Sequence, residues 1–194
     1  MATFISEEEA KSIKAKTAKP MMWVGIVGIV MLFAGMTSAY IVRQAEGNWL
    51  YFDLPDTFYL STVVIVLSSA TMALSQYAIR RNNISLTANM LVLTLVLGVV
   101  FALLQFKAWG ELVDMGVFFA GRESNPSGSF LYAISGLHLV HIAGGILALI
   151  FTTVKAYLKK YSADDYVGIE VAATYWHFLD ILWIYLLLFL VFIR

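Results

Sequence analysis

The side chains with the most capacity for chemistry stand at helical spacing in the last third of the chain. His138 and His141 occur in Gly136-Leu-His-Leu-Val-His-Ile-Ala-Gly-Gly145, and Glu170 and Thr174 precede Tyr175-Trp-His-Phe-Leu-Asp-Ile-Leu-Trp183. These two segments hold all three histidines of the protein, together with Asp180, Trp176 and Trp183. Residues three apart on an α-helix lie about 60° apart around its axis, so His138 and His141 can face one neighbour. Glu170, Thr174, His177 and Asp180 likewise fall within one broad face. A polar seam between the two helices is the arrangement this spacing predicts. Gly136, Gly144 and Gly145 would let a neighbouring helix come close and shorten the reach between partners.

Three chemistries compete for these residues. The first is structural, with buried histidines hydrogen-bonded to carboxylates or backbone carbonyls. The second is a metal or haem centre, which needs convergent ligands with an ordered surrounding shell. Histidines three apart fit His-x-x-x-His ligation poorly, and no Glu-x-x-His pair occurs. The third is a proton path, since Asp, Glu and His chains in membranes often relay protons. The interiors of the second and third apolar stretches hold no ionisable residue, however, Arg80, Arg81 and Lys107 being near their ends, so no acidic or basic ladder crosses the chain. Gly-x-Ser-x-Gly, a phosphate-cradling Gly-x-x-x-x-Gly-Lys loop and cysteine are all missing, which leaves nucleophilic catalysis and phosphate binding without residues.

The elements that would position these groups are apolar helices. Hydrophobic residues make up 60% of the 194 and charged ones only 13%, too few to clothe a soluble domain. A hydrocarbon layer of about 30 Å needs roughly 20 helical residues, because backbone amides must be satisfied within each segment. Five stretches qualify, near 22–42, 57–79, 87–109, 130–157 and 171–193. The expected fold is therefore an all-α, polytopic bundle of five transmembrane helices. It divides into an N-terminal cytoplasmic segment, 1–20, and a membrane domain, 21–194. No cleaved export signal is expected, since the first apolar run is long enough to span.

Charge adds an orientation. Net charge is zero, with no basic stripe for nucleic acid. One set of alternate loops carries nine Lys and Arg residues and the other set four. Positive charge is retained in the cytoplasm, so the N-terminus is expected inside and the C-terminus outside.

The last two helices resemble subunit III of the haem-copper respiratory oxidases. The stretch Tyr175 to Trp183, preceded by Gly168-Ile169-Glu170, is similar to that family's closing-helix signature almost position by position. Ser129-Phe130, Gly136-Leu137-His138, His141 and Gly144-Gly145 resemble its penultimate helix. Gln105 with Trp109, and Met31-Leu32-Phe33-Ala34-Gly35 with Ala39-Tyr40, add weaker matches, so the likeness runs from about Trp23 to the end. The family occurs with seven helices or five, and this chain is similar to the five-helix form.

The resemblance implies a subunit of cytochrome c oxidase without a catalytic centre, cofactor or metal of its own. Haem and copper would belong to partner subunits I and II in a bacterial cytoplasmic (inner) membrane complex. It further implies bound phospholipid, stabilisation of the catalytic subunit and support of its proton uptake. His138, His141, Glu170, His177, Asp180, Trp176 and Trp183 would then have structural and assembly roles. Gly28-Ile29 and the neighbourhood of Ala108 stand where family members often carry carboxylates, so a proton-collecting role tied to those groups does not carry over. The alternatives are the equivalent subunit of a quinol oxidase or nitric oxide reductase, or a stand-alone transporter or metal-dependent membrane enzyme.

Overall fold

A computed structural model describes residues 7–163 and 165–193, with side chains from residue 16 onward. Residues 1–6, part of the expected N-terminal segment, lie outside the described residues. Five helices follow in order: α1 (Glu7–Ala45), α2 (Asp56–Arg80), α3 (Ile84–Asp114), α4 (Pro126–Tyr157) and α5 (Val167–Phe192). All five are long and apolar enough to cross a membrane, and the described residues contain no strand. The chain is a multi-pass membrane protein.

Helices α3 and α4 begin earlier than their apolar stretches because asparagines cap them. Asn83 accepts a hydrogen bond from the Leu86 amide at 3.1 Å and starts α3. Asn125 accepts from the Ser127 amide at 3.1 Å, ahead of Pro126, a residue whose fixed φ and missing N–H suit the first helical position. The same Asn125 side chain also accepts from Leu50 N and donates to Asn48 O, both at 3.1 Å, which ties the α1–α2 connection to the start of α4. Asn125→Ala is expected to cost about 1 to 2 kcal/mol, read as a lower Tm of the detergent-solubilised protein. Asn125→Ser should recover the cap but not the tie.

Packing follows a seven-residue period. The buried face of α2 runs Phe58, Ser61, Ile65, Ser68, Met72, Ser75, Ile79, and that of α5 runs Ile169, Ala172, Trp176, Leu179, Trp183, Leu186, Leu190. Steps of three and four residues keep such a seam facing one partner when helices wrap left-handedly. Serine at every seventh position of α2 lets α3 approach closely, as small residues do in membrane bundles. Helices α2, α3, α4 and α5 each contact the next, and α5 returns to α2, so the four form a closed ring. Helix α1 lies outside it against α4 and α5 and, among the described residues, touches neither α2 nor α3. Only 22% of its most apolar window is buried, against 50% for α5, which makes α5 the central helix.

Candidate functional site

The centre of the bundle is built on two indoles of α5, one heptad apart. Trp176 is fully buried, and its Nε1 donates to Ser68 Oγ of α2 at 2.9 Å. Its ring fills the space above two glycines. A Cβ on Gly98 of α3 would lie 2.6 Å from it, and one on Gly145 of α4 would lie 3.1 Å away. Trp183 donates from Nε1 to Thr62 Oγ1 of α2 at 2.9 Å and packs on Phe58, Phe101 and His138. Each indole N–H thus finds a hydroxyl on α2 while its ring reaches residues of α3 and α4. A buried Trp needs both.

The expected polar seam between α4 and α5 does not form. His138 is fully buried on α4, with its ring 5.2 Å from that of Trp183 and edge-on to Phe101 and Phe33. Neither of its ring nitrogens has a hydrogen-bond partner. His141 Nδ1 donates back to Leu137 O of its own helix at 2.8 Å. His177 faces α2, where its Nδ1 lies 2.6 Å from Ser69 Oγ. Asp180 is also turned to α2, beside Ser69, although neither carboxyl oxygen completes a hydrogen bond. Glu170 pairs with Lys19 of α1 at 2.7 Å. Spacing groups Glu170, His177 and Asp180 along α5, but they look at α1 and α2 and not at α4.

The glycines divide in the same way. Gly145 meets the Trp176 ring, whereas a Cβ on Gly136 or Gly144 would make only ordinary contacts, 3.7 Å from Trp109 and 3.8 Å from Tyr175. Gly98, the tightest of these four helix–helix approaches, stands outside the sequence motifs. Its one available sign is its position in the buried α3 series Leu91, Thr94, Gly98, Phe101, Gln105.

Hydroxyl groups join α2 to its neighbours along most of its length. Thr71 and Thr94 share a hydrogen bond at 2.8 Å, Gln105 Nε2 donates to Ser61 Oγ at 2.9 Å, and Thr57 donates to Glu111 at 2.8 Å. Between α3 and α4, Trp109 Nε1 donates to Ser135 Oγ at 3.1 Å. Outside the spans, in the α4–α5 connection, burial raises the Tyr161 phenol above the usual tyrosine value, so it stays neutral at physiological pH. Among the described residues no three His, Asp or Glu side chains converge as metal ligands would.

Residues 51–193 match the family of cytochrome c oxidase subunit III. The chain belongs to that family. It is 31% identical over 175 residues to the probable cytochrome c oxidase subunit 3 of Mycobacterium tuberculosis, covering 85% of this chain and 82% of that protein. The probable subunit 3 of Mycobacterium leprae is 30% identical and that of Nocardia farcinica 29%, with the same coverage. The matched region takes in α2 to α5, the whole closed ring, together with both indoles and the residues they touch.

Proposed function

We propose that this chain is the accessory subunit III of a bacterial cytochrome c oxidase. It carries no catalytic centre, packs on subunit I in company with subunit II, and supports the catalytic subunit's proton uptake by holding it in shape. The complex sits in the cytoplasmic membrane with the N-terminus of this chain inside and its C-terminus outside, in line with the bias of Lys and Arg between alternate loops. The observation that carries this reading is the use of the α5 signature within the family's fold. Trp176 and Trp183 are engaged in holding α2, α3 and α4. His177 and Asp180 turn to α2, which leaves the motif no open reaction site.

Phospholipid belongs to the same proposal. An apolar cleft of about 490 Å³ runs between α1 and α5, lined by Ile41, Leu188 and Phe189 among others. A second, of about 370 Å³ at the opposite end, includes Lys155 beside Met22 and Phe151, a cation next to an acyl-sized groove.

Purification in mild detergent tests the assignment. The chain should leave the membrane with haem-bearing partners, while the separated chain should be colourless; recovery without any haem protein would overturn the reading. A second expected result concerns assembly. Asp180→Leu and His177→Leu disturb the α2–α5 contact and should lower the yield of intact complex before they alter activity per haem. Normal assembly with an immediate collapse of turnover would contradict a structural role.

A further inference from the structure

The outward edge of the α2–α5 pair is polar where a lipid-facing edge would be apolar. On α5, His177 is half-buried and shares a helix edge with Thr174 and the exposed Ile181. On α2, Ser69 borders the same edge with the exposed Val66 and Ala73. Asp180 lies just beneath, 2% exposed, with both carboxyl oxygens unpartnered. No other outer edge of the bundle joins a half-buried histidine to a buried, unpartnered acid among the described residues.

Proton bookkeeping decides what this edge offers. The Ser69 hydroxyl and His177 Nδ1 share a hydrogen bond 2.6 Å long. When the Ser69 O–H donates, the neutral imidazole accepts at Nδ1 and carries its proton on Nε2. The pair then presents an N–H donor at Nε2, and no described hydrogen bond involves that atom.

Acyl chains cannot accept this hydrogen bond. His177 is ten residues from the start of α5, about 15 Å along the axis. The 26-residue helix is about 39 Å long and overhangs a hydrocarbon layer of about 30 Å by roughly 4 to 5 Å at each end. The ring thus stands about 10 Å inside the hydrocarbon, below the level of lipid esters and headgroups. Only polypeptide supplies acceptors there.

We propose that a transmembrane helix of a neighbouring oxidase subunit docks across the α2–α5 edge and presents a hydrogen-bond acceptor to His177 Nε2–H. The small Ala73 beside Ser69 leaves room for that helix to approach. The occupant follows from the proposed place of the chain in an oxidase complex, and this inference rests on that reading.

Photocrosslinking in the intact oxidase tests it, with a benzophenone side chain placed at Ala73 or Ile181. Control sites are Leu103 on the outer face of α3 and Val30 on α1, both exposed. The expected result is an adduct with another oxidase subunit from position 73 or 181 and none from 103 or 30. Adducts only with lipid or with a second copy of this chain at both test positions overturn the proposal, as do subunit adducts confined to a control position. His177→Gln keeps a side-chain N–H and should hold its place in the complex through detergent washing. His177→Leu should be retained about tenfold less, and equal retention of the two also counts against the proposal. The unsubstituted chain is purified in parallel. If it carries haem-bearing partners while the adducts are lipid, only the docking edge is wrong. If no haem protein accompanies it, the assignment and the docking edge fall together.

Discussion

Trp176→Ala is expected to be the most damaging single substitution in this protein, costing about 3 kcal/mol. The indole is fully buried and in contact with three helices at once: Ser68 of α2 through its N–H, and Gly98 of α3 and Gly145 of α4 through its ring. Alanine leaves a cavity lined by two glycines, which have no side chains to fill it. It also removes the bond that the Ser68 oxygen accepts, while the Ser68 O–H keeps its 2.8 Å bond to Ile65 O. In a bilayer the loss is one of packing more than of transfer from water, because lipid tails are as apolar as the core. That places the figure at the low end of the range for Trp→Ala in soluble cores. Thermal unfolding of the purified complex, followed by release of this chain, measures it. A drop no larger than that of an exposed control such as Phe106→Ala would show that the indole does not organise the ring.

Gly98→Ala is the second, and its sign is the informative part. In an exposed helix interior this change stabilises by up to about 1 kcal/mol through helix propensity. Here the new Cβ would stand 2.6 Å from Trp176 Cη2 and 2.9 Å from Cζ2. The ring has little room to step aside, since its N–H is held by Ser68 and Gly145 lies on its other side, where even an added Cβ would stand only 3.1 Å away. The expected result is a net destabilisation of about 1 to 3 kcal/mol. Trp176→Phe in the same chain should relieve most of it. The two substitutions share one contact and are expected to be strongly non-additive in a double-mutant cycle. A stabilised Gly98→Ala variant would mean that α3 does not approach the indole as closely as described.

How much of this was legible in the sequence depends on what hydropathy can see. Five spans were legible because length and apolarity are properties of each segment alone. Their N-terminal boundaries were drawn late at α3 and α4, where Asn83 and Asn125 extend the helices by capping and not by apolarity. The α5 motif was legible as a set of residues on one face, but periodicity says nothing about which neighbour that face meets. Spacing alone therefore assigns His177 and Asp180 to the side of α4, and they lie against α2 in the fold. Glu170 finds Lys19, a partner 151 positions earlier that no local pattern connects to it. The hydroxyls of α2 were missed because serine and threonine scarcely disturb an apolar stretch. Ser61 and Ser68 each satisfy their O–H on their own helix's carbonyls while offering the oxygen to a neighbour, and Thr71 shares a hydrogen bond with Thr94.

The isolation of α1 from α2 and α3 has a consequence for biogenesis. The hairpin of α2 and α3 can close across the three residues Arg81 to Asn83 as soon as both have left the insertion machinery. By contrast, α1, made before them, has among the described residues no resting place on either. It must wait in the lipid until α4 and α5 arrive with the surfaces that receive Phe33, Thr37 and Lys19. Chain order and docking order are therefore opposed at α1, and a nascent chain halted before α4 would hold a paired hairpin beside an unattached α1.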